Sequence, residues 1–342
     1  MAFYEQSPVT LLLDISAVAI NAHANSLELS NGQTLTYDAL ILATGARVRK
    51  LSIKGADLDG VCYLRTLKDV DDIGERLKSA RHVMVVGAGF IGLEFAAVAS
   101  KLGKSVQVLE AMDRVMARVV EPELSQFFTA LHQSHGVEII CNAQALELTG
   151  EGGRVSGVKT ADGRLLQADL VVAGIGVVPN LELAEMAGLA CGNGITVNEF
   201  GQTSMDNIYA CGDCASYQHP FVAQAIRLES VQNAGDQARA VAAKIAGKDK
   251  PYDAVPWFWS DQYDVKLQMA GLTLGCDAHV VRGDIDSGSF SLMHFKGERL
   301  RAVEAINQPR DYIVGRKLLE KDLSPTREQA MDTSFNLKSL LT

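Results

Sequence analysis

Three glycines, Gly87, Gly89 and Gly92, stand in G-x-G-x-x-G spacing, after the apolar run 82–86 and before a helical pattern that reaches residue 102. Between a strand and a helix this spacing cradles a pyrophosphate. The first glycine permits the tight turn, the second lets the backbone approach the anion, and the third lets the helix pack against the strand. Free N–H groups at the helix start, from Phe90 and Ile91, would face the negative charge. Glu110 follows the next apolar run, 105–109, where a carboxylate accepts hydrogen bonds from both hydroxyls of an adenosine ribose and repels a 2′-phosphate. NADH is therefore expected over NADPH. Cys211-x-x-Cys214 has redox or zinc spacing, but no second C-x-x-C completes four metal ligands. His132-x-x-His135 has ligand spacing on a helix face without an evident third ligand, and a solvated face is the preferred reading.

The elements that position these residues follow from periodicity. Short strands are expected at 10–13, 17–20 and 26–30, with Asn31-Gly32 as a hairpin turn, forming a β-meander. A buried strand then ends at Ala43-Thr44-Gly45. Residues 69–79 read as a helix, and 82–109 as a complete β-α-β unit whose helix ends at Gly103. A helix at 123–134, strands at 137–141, 154–160 and 169–173, and a hairpin at Asp162-Gly163 complete an α/β domain. Further on, a strand near 195–197, the strand-turn 207–215 and an alanine-rich helix at 230–246 are expected, followed by a linker at 248–256. The last segment reads as strands at 265–270, 279–282, 289–294 and 300–306 and then helices, a small α+β domain.

At 342 residues the chain has room for two or three domains, and 47% apolar with 21% charged residues is globular composition. Thirty-two Lys and Arg against 41 Asp and Glu give a net charge of −9, which opposes a nucleic-acid footprint. Six scattered cysteines and no signal peptide fit a reducing cytoplasm. The most apolar stretch, 83–100, is broken by Glu94 and glycines and is not expected to enter a membrane.

Thr36-Tyr37-Asp38 leading to Ala43-Thr44-Gly45, the 87/89/92 glycines, Gly174-x-Gly176-x-x-Pro179-Asn180 and Cys211-Gly212-Asp213 together resemble the FAD-dependent pyridine nucleotide-disulfide oxidoreductases. Tyr63-Leu64-Arg65-Thr66, the run 227–234 and the run 256–262 are similar to its ferredoxin reductase branch, which serves oxygenases. The likeness covers essentially the whole chain. It implies two Rossmann-like dinucleotide-binding domains plus a small C-terminal α+β domain. Residues 1–47 and 177–250 would form the FAD-binding domain, 48–176 the NAD-binding domain and 251–342 the C-terminal reductase domain.

By the same resemblance Asp213 bonds the ribityl-phosphate side of FAD, and the helix starting at Ser230 and Val231 points its positive end at the flavin pyrimidine ring. Such an end stabilises the negative charge of a reduced flavin. Arg65 matches a flavin-contacting arginine, Ala17 a backbone contact to the adenosine part, Glu94 a position facing the nicotinamide amide, and Gly176 a border of the nicotinamide pocket. Trp259, beside Trp257, is read as a flavin neighbour in preference to a filler of the domain junction. The family opens with its own strand, G-x-G-x-x-G loop and helix for the ADP half of FAD. This sequence shows no such segment before the meander, so an FAD domain incomplete at its N-terminus is expected.

The implied function is an NADH-dependent flavoprotein that passes electrons through FAD to an iron–sulfur ferredoxin of an oxygenase system. Arg227, Arg239 and Lys244 are candidates for docking an acidic ferredoxin. The alternatives are a non-catalytic NAD(H)-binding subunit that needs a partner for flavin, and an NADH oxidase or disulfide reductase. The C-terminal segment lacks the His-Pro pattern of disulfide-reductase dimerisation domains, which favours the ferredoxin branch.

Overall fold

The computed structural model describes residues 4, 6–222 and 224–342. They form two compact units, one from the residues up to Ala46 with Pro179–Pro256, the other from Arg47–Val178 with Trp257–Thr342.

In the first unit, strands Ala17–Asn21, Ser26–Leu29 and Thr34–Thr36 form the expected antiparallel meander. At its second turn only Gly32 takes the left-handed conformation, at φ +82°, and its N–H donates to the Leu29 carbonyl. Residues 10–13 do not form the expected strand. They pair with no strand among the described residues, and Asp14 at φ +57° turns the chain before Ala17. Strand Leu40–Leu42 runs parallel to Ile208–Ala210, and Cys191–Gly192, Gly194–Val197, Ala215–Gln218 and Ala225–Ile226 form a four-stranded sheet. Ile20, Leu42, Ile195, Ile208 and Tyr217 fill the core of this unit.

The second unit holds a parallel sheet in the order Val61–Tyr63, Leu170–Ala173, His82–Val86, Ser105–Leu109, Glu138–Ile140. Its central strands are largely apolar because both faces are covered: Val83 and Val85 pack with the helix residues Ile73, Leu93 and Leu124, and Met84 and Val86 pack with Leu148 and Val158 on the opposite face. Helix Leu67–Ser79 starts at a capping box, with the Thr66 hydroxyl accepting from the Asp69 N–H and the Asp69 carboxylate accepting from the Thr66 N–H. A strand absent from the sequence reading, Ala145–Glu151, pairs with Arg154–Thr160 and then Leu165–Gln167 in a separate antiparallel sheet. The C-terminal part is an antiparallel sheet ordered Trp257–Gln262, Val265–Gly271, Arg299–Ile306, Ser289–Lys296, Ala278–Asp284, followed by helix Pro309–Glu320. One core joins this sheet to the parallel one, with Val265, Leu267, Phe290 and Ile306 packed among Val85, Leu93, Phe128 and Leu170. The architecture is α/β with Rossmann-like parallel strands and a C-terminal α+β domain, as the sequence implied.

Candidate nucleotide and flavin site

Strand His82–Val86 delivers the glycine turn and helix Phe90–Lys101 leaves it. Gly87 sits at φ +101°, and a Cβ there would lie 2.5 Å from the Gly174 carbonyl oxygen. A Cβ at Gly92 would meet the Gly87 carbonyl oxygen at 2.1 Å, so helix and turn are in backbone contact. Gly89 differs. It has an ordinary extended backbone, φ −78° and ψ −178°, and a Cβ there would find nothing within 4 Å. It is also the helix N-cap, and no side chain caps the first turn. The N–H groups of that turn, beginning at Phe90 and Ile91, have no partner within the helix and lie beside the open space at Gly89. This is the geometry an anionic pyrophosphate needs.

Glu110, at the end of the neighbouring strand, accepts from the Ala88 N–H at 2.7 Å and the Met112 N–H at 2.9 Å. Its carboxylate is thus fixed against the turn, and these two bonds use two of its roughly four lone-pair sites. Gly176, at φ +100°, also faces open space, and its carbonyl accepts from the Arg49 N–H at 2.9 Å.

One turn into the fingerprint helix, half-buried Glu94 accepts a 2.6 Å hydrogen bond from the Ser260 hydroxyl. Burial pushes the Glu94 carboxyl above its ordinary pKa, only partly opposed by the Ser260 hydrogen bond. The chain of bonds continues inward. Gln262 Nε2 donates to Ser260 Oγ at 3.1 Å, His132 Nε2 donates to Gln262 Oε1 at 2.8 Å, and the Tyr263 hydroxyl donates to His132 Nδ1 at 3.3 Å. His132 is therefore not on a solvated face. It is fully buried, burial lowers its pKa, and only His135, stacked on Tyr263 at 3.7 Å, stays outside.

The same strand carries Trp259, which is 42% exposed and lies beside Trp257 and Phe258, while Phe258 packs on Phe90 with ring centroids 5.0 Å apart. Glu94, Phe90 and the Trp257–Gln262 strand are thus brought together. Arg65 is exposed just before the Thr66 cap, where its N–H donates to Asp69.

In the other unit, Asp213 lies in the short 3₁₀ turn Gly212–Cys214, which rests on the start of helix Val231–Ile245. Gly212 is left-handed at φ +77°, a Cβ there would be 3.4 Å from the Ala234 Cβ, and its N–H donates to Gln237 Oε1. Ser230 caps the helix by accepting from the Asn233 N–H at 3.1 Å, and Val231 stands 75% exposed at the helix start. An exposed positive helix end beside an Asp-bearing turn fits a reducible ring system. Ala17 opens the first meander strand, half-buried, at a β-bulge. Asn180 brackets the Thr44-Gly45 turn. Its side chain donates to the Thr44 carbonyl and its own carbonyl accepts from the Thr44 hydroxyl, both at 2.8 Å. Pairing across such sequence distance left no local signal.

Burial and charge pairing oppose two candidate roles. Cys211 and Cys214 are both buried free thiols, and burial, helped by Cys214, pushes Cys211 up to about 11, far from a reactive thiolate. Arg227, Arg239 and Lys244 each pair with an acid, Glu229, Asp236 and Asp249 respectively, so they do not form an uncompensated basic patch.

Comparison with known proteins adds the family. The pyridine nucleotide-disulphide oxidoreductase family matches residues 3–238, and a reductase C-terminal domain matches residues 257–341. The chain belongs to the pyridine nucleotide-disulphide oxidoreductases. Rhodocoxin reductase of Rhodococcus erythropolis is 48% identical over 336 residues, covering 98% of this chain and 79% of that protein. The ferredoxin reductase for the CYP199A2 system of Rhodopseudomonas palustris superimposes with a TM-score of 0.96 at 46% identity, over 99% of this chain and 83% of that one. A covalent putidaredoxin reductase–putidaredoxin complex matches with a TM-score of 0.93 at 39% identity, over 96% and 80%. Among the described residues no helix of this reductase-family chain is long and apolar enough to cross a membrane.

Proposed function

We propose that the chain is an NADH-dependent reductase passing electrons through FAD to an iron–sulfur ferredoxin of an oxygenase system. The observation that carries this reading is the 48% identity to a rhodocoxin reductase across 98% of the chain. Bound FAD would link two-electron acceptance from NADH to one-electron delivery to the iron–sulfur partner.

The chain's own residues bind and orient. Gly87, Gly89 and Gly92, with the uncapped N–H groups of Phe90 and Ile91, hold the NADH pyrophosphate, and Glu110 takes the ribose hydroxyls. Glu94, braced by Ser260, receives the nicotinamide amide beside Gly176. Ala17, Asp213, Ser230 and Val231 hold FAD, with Arg65 and Trp259 as flavin contacts. The division of labour is 1–47 and 177–250 for FAD, 48–176 for NADH, and 251–342 as the C-terminal reductase domain. A reducing cytoplasm suits six cysteines that are all free thiols.

The test is NADH-driven cytochrome c reduction with and without an iron–sulfur ferredoxin. A rate that requires the ferredoxin supports the reading. NADH binding without any electron transfer overturns it in favour of a nucleotide-binding subunit.

A further inference from the structure

His279 and His294 face each other directly across the antiparallel strands Ala278–Asp284 and Ser289–Lys296, so their side chains share one face of the C-terminal sheet. Glu304 lies on the next strand, two residues from Ala302, the residue paired with His294, and so on the same face. Helix Pro122–Ser134 brings two more carboxylates to that face, Glu121 as its N-cap and Glu123 in its first turn. Ligand atoms of Glu121, His279 and His294 all lie within 4.8 Å of one another.

The hydrogen bonds orient these groups for a cation. His294 Nε2 donates to Glu304 at 2.8 Å, and both residues are buried, 1% and 2% exposed in their side chains. In the neutral imidazole that bond leaves Nδ1 as a lone pair, and among the described residues Nδ1 has no hydrogen-bond partner although it is buried. It points to within 4.0 Å of Glu121 Oε1, a second lone-pair donor. His279 Nε2 is 3.1 Å from Glu123 Oε1, and the other Glu123 oxygen is likewise buried without a partner. Three carboxylates around two imidazoles, with an orphaned nitrogen aimed at a carboxylate, is a costly arrangement without a positive charge at its centre. A carboxylate behind each ligating histidine is the usual outer support of a bound metal.

We propose that Glu121, His279 and His294 bind one divalent transition ion of the zinc class, with Glu304 and Glu123 orienting the two imidazoles. Imidazole and carboxylate donors suit such an ion, and three protein ligands leave a fourth position for water. Bond lengths near 2.0–2.2 Å require the three groups to draw inward slightly. Glu121 supplies that movement, because its side chain is 36% exposed and makes no capping hydrogen bond. The ion would pin the start of helix Pro122–Ser134 to the C-terminal sheet.

The test uses the full chain, stripped with chelator and titrated with Co²⁺ and then Zn²⁺. One equivalent of Co²⁺ should give visible ligand-field bands that Zn²⁺ displaces, and Zn²⁺ should raise the Tm. His279→Ala and Glu121→Gln, both at partly exposed positions, should each weaken Zn²⁺ binding more than about 100-fold, and Glu123→Gln about 10- to 100-fold. No cobalt spectrum and no Tm response in the native chain overturns the proposal. So does uptake that survives both ligand substitutions.

Discussion

Gly89→Ala separates ligand space from protein packing better than any other change in the nucleotide loop. The backbone at Gly89, φ −78° and ψ −178°, suits alanine, and the added Cβ would touch no protein atom within 4 Å. Loss of a favourable N-cap and gain from a stiffer unfolded chain roughly cancel, each worth up to about 1 kcal/mol. The Tm should therefore move by no more than a few degrees. The new methyl occupies the space in front of the uncapped helix N–H groups. If it displaces the pyrophosphate from even one of these charge-assisted hydrogen bonds, worth about 1.5–3 kcal/mol, the KM for NADH rises about 10- to 150-fold. Steady-state kinetics with an artificial electron acceptor, beside calorimetry on the same preparation, reads both quantities. A native KM for NADH would refute the placement of the pyrophosphate at Gly89, and a collapsed Tm would refute the claim that the space belongs to the ligand.

Gly92→Ala should behave in the opposite way, because its Cβ would meet the Gly87 carbonyl oxygen at 2.1 Å. Overpacking of about 1–3 kcal/mol should lower the Tm in thermal melts along with NADH affinity. Glu110→Gln removes the charge that opposes a 2′-phosphate, so the kcat/KM ratio of NADH over NADPH should fall at least about tenfold, and an unchanged ratio would count against Glu110 as the ribose acid. Glu94→Gln should change stability in a pH-dependent way. Burial raises the Glu94 carboxyl in the folded state, so its contribution is present below the unfolded value of about 4.3 and lost as pH rises through the raised folded value. The glutamine variant should gain Tm relative to the native chain between pH 4 and pH 8, and a gap that stays constant across that range would contradict the burial argument.

The parts of this site that local chemistry controls were legible in the sequence. Gly87, Gly89 and Gly92 announce a turn because each glycine answers a steric demand within a few residues, and the helix start at Ser230 is likewise short-range; the Thr66–Asp69 box, equally local, is absent from the sequence reading, and that helix begins two residues earlier than expected. What depends on tertiary pairing left no such trace. The bracing of Glu94 by Ser260 and the burial of His132 under Gln262 arise from packing of the C-terminal sheet on the nucleotide helices. Strand Ala145–Glu151 carried only a turn signal, Gly152-Gly153, because register shifts break its alternation: Leu146 is exposed while Leu148 is buried. The leucines at 11–13 misled in the other direction, because an apolar run becomes a strand only where a partner edge exists.

The most direct test of the central claim is the visible absorption spectrum of the purified chain incubated with FAD, separated from free flavin, and then mixed anaerobically with NADH. The account predicts a protein-bound flavin band that NADH bleaches. A protein that retains no flavin, or a bound flavin that NADH leaves unbleached, would contradict it.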